Sequence, residues 1–185
     1  MNDFETALLA DDFSTDVRTY TDFIDVPSFV DFFLLTEIVR NIDGYRLSTF
    51  LTKDRGEKLQ MGPIWDLNIG YNNPDRLPFD DWVINYNNHV QQDPWMVHFW
   101  WPRLLDDPQF RAAIKTRWTV LRGNELQTNI VLSLVDNIAN NLTSNGAIER
   151  NSNKWGAVDY ARNVNDLKTY LENRLAWMDS QISGF

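Results

Sequence analysis

The sequence predicts an α+β chain that is mostly α-helical, its helices packed around one β-hairpin. Three observations carry this. Apolar residues recur at helical spacing through several long segments. One segment is apolar on nearly every face, and one pair of short runs flanks a glycine-containing turn. The 185 residues show no internal repeat or low-complexity tract, which fits a single domain, or a large piece of one, over residues 1–185.

The elements follow in order. "MNDFETALLADDF" reads as helical from its first few residues. It is acidic, so it is no signal peptide, and it reads as an entry point inside a larger protein. In "DVPSFVDFFLLTEIVRN", Asp25 is the candidate N-cap and Pro27 lies in the first turn. Phe29, Val30, Phe32, Phe33, Leu34, Ile38 and Val39 cover nearly every face of that helix, which predicts burial, with Gly44 as its stop. "YRLSTFLTK" and "KLQMGPIWD" then flank "DRGE", where Gly56 suits a positive φ. Pro63 makes the second strand an edge or bulged one. Residues 70–93 are rich in Asn, Asp and Pro and predict a long polar loop. Three helices follow. Phe110, Ile114, Trp118 and Leu121 mark the first, with Gly123 as stop. Leu126, Ile130, Leu134, Ile138 and Leu142 mark the second. Val164, Leu167, Leu171, Leu175, Met178 and Ile182 mark the third, and all of these stripes are expected in the core.

Composition bounds the partners. The net charge of −9 argues against nucleic acid or an anionic membrane, which need clustered Lys and Arg, and suits a metal cation or a neutral ligand better. The absence of cysteine excludes disulfides, Cys-ligated zinc and a thiol nucleophile. No apolar run reaches the ~18 residues of a membrane span. Eight Trp and eleven Phe make the expected core unusually aromatic.

The stretch "NIDGYRLSTFLTKDRGEKLQMGPIWDLN" places Asp43 and Asp66 at the two open ends of the hairpin. A two-residue turn on Arg55 and Gly56 sets Asp66 opposite Tyr45 and Asp43 opposite Asn68, all on one face. The two acids are then diagonal neighbours roughly 7–8 Å apart. Two bare carboxylates at about 7 Å repel by about 2 kcal/mol at an effective dielectric of about 20. Such a pair needs a cation, a nearby Arg or a raised pKa. With the Asn68 amide oxygen it forms a hard, oxygen-only set that suits Mg²⁺ or Ca²⁺ rather than zinc. Two structural readings stand beside this one. Asp43 can close a helix-terminal turn on its own backbone, and Asp66 can pair with Arg46 or Arg55. A one-residue slip in register also moves one Asp to the other face.

The stretch from Asn41 to Asn73, with its Asn-Ile-Asp-Gly-Tyr and Gly-Pro-Ile-Trp-Asp-Leu-Asn motifs, closely resembles the corresponding block of the CotH kinase family. "DVPSFVDFFLLTEIVRN" resembles the family's preceding helix, and "FWWPRLLDDPQFRAAIKTRWTVLR" its Trp-Trp and Asp-Pro-x-Phe segment. "ERNSNKW" and "LKTYLENRLAWMD" resemble its closing helices, so the likeness runs through nearly the whole chain. It implies a fold like the C-terminal lobe of an atypical kinase and a protein substrate with a hydroxyl acceptor. It implies Asp43 as the base for that hydroxyl and Asp66 as the ligand holding Mg²⁺ against the phosphates of ATP. It also implies a place outside a bacterial cell or on its surface.

The sequence departs from ordinary kinases. Asn41 and Ile42 replace the His and Arg before the catalytic Asp. Ser48 stands where a second metal ligand, Asn, is usual, and Asn68 is a candidate substitute. No Gly-rich phosphate loop and no Val-Ala-Ile-Lys-like strand occurs, so the nucleotide-binding lobe is expected before residue 1 and this piece alone is expected to be poorly active. Lys53 and Lys58 flank the turn and are expected to face solvent. His89 and His98 have no carboxylate at metal-site spacing, and no Gly-x-Ser-x-Gly elbow occurs. The Trp95–Trp101 cluster is expected in the core, although it could form a sugar-stacking platform. Two further functions fit the residues: a non-catalytic surface or scaffold module, and a carbohydrate-active domain using the acid pair.

Overall fold

The computed structural model describes residues 1–15, 18–71 and 77–185. It is 61% helical with a small two-stranded antiparallel sheet, the mostly helical α+β class that the sequence predicts. The helices are α1 (Asn2–Leu9), α2 (Val26–Val39), α3 (Tyr86–His89), α4 (Trp100–Asp106), α5 (Pro108–Gly123), α6 (Thr128–Ser144), α7 (Ala147–Trp155) and α8 (Tyr160–Ile182). The strands are β1 (Leu51–Thr52) and β2 (Gln60–Met61).

Helix α2 is the centre. Asp25 accepts from the Ser28 amide at 2.8 Å, and Pro27 sits in the first turn, as the sequence indicates. Every apolar residue expected to be buried on α2 is buried. The helix does not run on to Gly44. It ends at Arg40, which adopts the left-handed conformation (φ 53°) that usually favours glycine. Arg40 is itself buried, and its guanidinium donates to the carbonyls of Leu77 and Pro78. That tertiary anchor holds a bulky residue where a local rule expects Gly.

The hairpin is shorter than expected and its register differs by one. Leu51 pairs with Met61 and Thr52 with Gln60. Gly56 does take a positive φ of 81° in the turn. The strand ends at Met61, with one further backbone bond from the Gly62 amide to the Phe50 carbonyl, so Asp43 and Asp66 lie outside the strands. The second strand is tied instead to the start of α2. Leu59 bridges Ile24 in parallel, and the Met61 amide donates to the Ser28 hydroxyl at 3.2 Å.

Of the expected polar loop over 70–93, residues 72–76 lie outside the described residues. From Leu77 onward the segment is folded, with a 3₁₀ turn at Val83–Asn85 followed by α3. Its anchor is a buried ion pair. Glu37 on α2 and Arg174 on α8 are both fully buried, with Nη2 to Oε2 at 3.1 Å. Glu37 also accepts from the amides of Val83 (2.7 Å) and Ile84 (3.2 Å). Arg174 donates to the carbonyls of Glu37, Phe79 and Asp81. Burial pushes the Glu37 carboxyl up to about 7, with Arg174 the strongest of the groups pulling it back toward ionisation.

The last three helices meet expectation unevenly. On α5, Phe110, Ile114 and Trp118 are buried, and on α8 so are Leu171, Leu175, Met178 and Ile182. Helix α6 is the correction. Its Ile130, Leu134, Ile138 and Leu142 ridge faces solvent, with Leu134 59% exposed. The neighbouring Val131, Leu132 and Val135 pack inward instead. The helix has two adjacent apolar ridges, and only one finds a partner among the described residues. Among the described residues no helix is long and apolar enough to cross a membrane.

Candidate functional site

The site grows from the end of α2. After Arg40 the chain makes a 3₁₀ turn, Ile42–Tyr45, that carries Asp43. The Asp43 carbonyl collects the amides of Arg46 (3.2 Å), Leu47 (2.9 Å) and Ser48 (2.7 Å), so the loop wraps around it. Below, Tyr45 is buried against Trp101 at 4.7 Å between ring centroids. Its hydroxyl lies 3.1 Å from Glu37 Oε1. The buried ion pair therefore supports the turn that presents Asp43.

Asp43 is partly exposed, and its Oδ1 accepts from Arg46 Nε at 2.7 Å. Arg46 Nη1 reaches on to Asp93 Oδ2 and to the Trp95 carbonyl, each at 2.7 Å. The guanidinium lies 4.9 Å above the Tyr86 ring, and the Tyr86 hydroxyl donates to Asp93 at 2.6 Å. Burial works against the Arg46 charge, but the bonds to Asp93 and Asp43 outweigh it and raise its pKa. The Tyr86 hydroxyl and Arg46 together hold the Asp93 carboxyl well below the usual carboxylate range. One oxygen of Asp43 is thus fixed by a buried cation, while Oδ2 makes no hydrogen bond to a described residue.

Asp66 reaches the same place by another route. It lies in the irregular segment after β2, with a left-handed backbone (φ 57°) and an exposed side chain. Ser48 joins the two acids. Its hydroxyl donates to Asp66 Oδ2 at 3.2 Å, and its amide donates to the Asp43 carbonyl. No Lys, Arg or His among the described residues pairs with Asp66, so the expected alternative of a salt bridge to Arg46 or Arg55 is not what forms. Asn68 lies in an exposed turn and makes no hydrogen bond to Asp43, Ser48 or Asp66. The structure therefore links the Asp66 carboxylate through Ser48 to the Asp43 backbone and leaves Asn68 outside that link.

The proximity of the acids does not come from hairpin register, as the sequence suggests. It comes from a 3₁₀ turn and a left-handed loop residue, neither of which leaves a periodic signal. Among the described residues no group of three or more His, Cys, Asp or Glu could hold a metal ion alone. Two carboxylates and a hydroxyl nonetheless fit Mg²⁺, which commonly takes one or two protein carboxylates and fills its sphere with water and phosphate oxygens.

The other expected residues take ordinary places. Lys53 and Lys58 are exposed and donate to the carbonyls of Glu57 and Thr21. His89 pairs with Asp81 at 2.6 Å, and His98 meets the Trp100 ring edge-on with Glu5 3.9 Å away. Trp100 and Trp101 are core, but Trp95 is 57% exposed. A cavity of about 180 Å³ is walled by Tyr45, Arg46, Met61, Met96 and Trp101. A larger one, about 490 Å³, lies between α2 and α5. Neither is lined by Asp43 or Asp66.

Comparison with known proteins bears on the whole chain. The family model described as CotH kinase protein matches residues 2–178. No curated protein and no solved structure matches.

Proposed function

The chain belongs to the CotH kinase family, and from that premise we propose that it is the part of an atypical protein kinase that moves phosphate from Mg-ATP to a protein hydroxyl. We also propose that residues 1–185 form one domain, and that it works outside a bacterial cell or on its surface. The observation that carries the catalytic reading is the Ser48 bridge between Asp43 and Asp66. It ties the Asp66 carboxylate, which pairs with no Lys, Arg or His among the described residues, to the backbone of the turn that carries the Arg46-held Asp43.

Each residue has a distinct task. Asp43 is held by Arg46 through one oxygen, which leaves the other to accept the proton of the acceptor hydroxyl. Asp66 and Ser48 supply hard oxygens for Mg²⁺, with Asn68 within the same loop as a further candidate. Bound Mg²⁺ supplies neutralisation of phosphate charge. The protein positions groups and performs little covalent chemistry itself, so geometry rather than nucleophilicity is the property to test.

Two variants of the full-length protein separate the roles. Calorimetry of ATP with Mg²⁺ should show binding lost in Asp66→Ala. Asp43→Asn should keep that binding while phosphotransfer falls by roughly 10²–10⁴-fold. Equal affinities for wild type and Asp66→Ala would sink the kinase reading in favour of a scaffold.

A further inference from the structure

Asn41 stands at the N-cap of the turn that carries Asp43, yet it does not cap it. An N-cap Asn ordinarily accepts an amide of its own first turn. Here the side chain makes no such bond. It is 2% exposed and points across to the second acid, with Nδ2 3.4 Å from the Asp66 carbonyl oxygen. Its Oδ1 is buried without a hydrogen-bond partner among the described residues. A buried orphan acceptor costs free energy, so the local fold alone gives little reason for an amide here. The room for it is made by Gly44. A Cβ there would stand 3.1 Å from Thr36 Cγ2 and 3.4 Å from Asn41 Nδ2.

The recipient of this contact is a residue that needs holding. Asp66 is a non-glycine residue with φ of 57°, a conformation that persists only when the surroundings impose it. Asn41 touches its carbonyl and Ser48 its carboxylate. Both come from the loop of Asp43, two residues before it and five after. We propose that Asn41 is a positioning residue that holds the Asp66 backbone in its left-handed conformation and so aims the Asp66 carboxylate at the site shared with Asp43. This rests on the reading of Asp66 as the Mg²⁺ ligand.

Asn41→Leu tests it, because leucine keeps the volume and removes both the donor and the orphaned acceptor. In the full-length protein its melting temperature should stay at or above that of wild type. Affinity for Mg²⁺ with ATP should fall about 10- to 100-fold, as for other partners that orient a ligand. NMR of the metal-free proteins gives a second readout: the Asp66 HN–Hα coupling and intraresidue NOE should report positive φ in wild type and extended backbone in Asn41→Leu. Unchanged affinity, or a negative Asp66 φ in wild type, would overturn the proposal. A fall in affinity matched by a fall in melting temperature would also overturn it, making Asn41 merely structural. Asp66→Ala, run alongside, keeps the two claims apart: if it binds normally the Mg²⁺ reading fails, and if it alone loses binding only the role of Asn41 fails.

Discussion

Arg46 is where one residue does the most for the site, because its guanidinium links two carboxylates of different exposure. It fixes Asp43 through Nε and is itself fixed by Asp93 through Nη1. The Asp93 pKa is depressed in the folded protein, first by the Tyr86 hydroxyl and then by Arg46. A depressed folded pKa gives stability that is complete above the unfolded value and lost as pH falls through the folded one. Denaturant titrations should therefore show stability falling from about pH 4 downward, the unfolded Asp range. Asp93→Asn should flatten that limb and leave the neutral-pH side little changed in slope. An unaltered acid limb in the variant would show that the Asp93 tie is not the linked group. At this scale the sequence was readable where a motif fixed residue type, as for Asp43 and Asp66. Ser48 was readable through its spacing from Asp43 alone. Asn41 was readable as a motif residue but its contact was not, because a side chain reaching a carbonyl 25 positions away leaves no local mark.

Elements were readable when their cause was local. The cap and first turn of α2 follow from Asp25 and Pro27, and the turn of the hairpin from Gly56. Register and helix ends were not, because remote residues decide them. β2 is set by Ser28 and Ile24 rather than by turn arithmetic, and α2 stops at Arg40 because Leu77 and Pro78 accept its guanidinium. The clearest case is Arg174, which an apolar stripe on α8 conceals. It joins α8 to α2 through Glu37 and holds the segment before α3 through Phe79 and Asp81. Removing one partner of a buried pair typically costs about 3–5 kcal/mol. Arg174→Leu should destabilise by that amount in equilibrium unfolding. The double variant with Glu37→Leu should not restore stability, since the Val83 and Ile84 amides would lose their acceptor. Recovery to wild-type stability in the double variant would mean that the pair, and not the segment it anchors, sets the cost.

For the whole molecule, the question is which apolar surface forms the core. The sequence sets α2 apart as apolar on nearly every face, but helical stripes alone place α5, α6 and α8 on equal terms, and the fold does not treat them equally. Phe29 and Phe33 on α2 are fully buried, in a cluster that reaches Phe4 on α1 and Trp101 on α4. The α6 ridge is outside, with Ile138 53% and Leu134 59% exposed. Periodicity reports that a helix has an apolar face, and cannot report which of two adjacent ridges is covered. Stability should separate them sharply. Phe33→Ala removes a ring from a packed interior, where such truncations cost about 3–5 kcal/mol. Leu134→Ser with Ile138→Ser alters half-exposed side chains, and surface changes usually stay within about 0.5 kcal/mol each. Urea unfolding of the two variants should thus differ by several-fold in effect, with the double α6 variant close to wild type. A loss in the α6 variant as large as that in Phe33→Ala would mean that this ridge is buried in the working protein. The core would then extend through α6 as the bare pattern of Leu126 to Leu142 suggests.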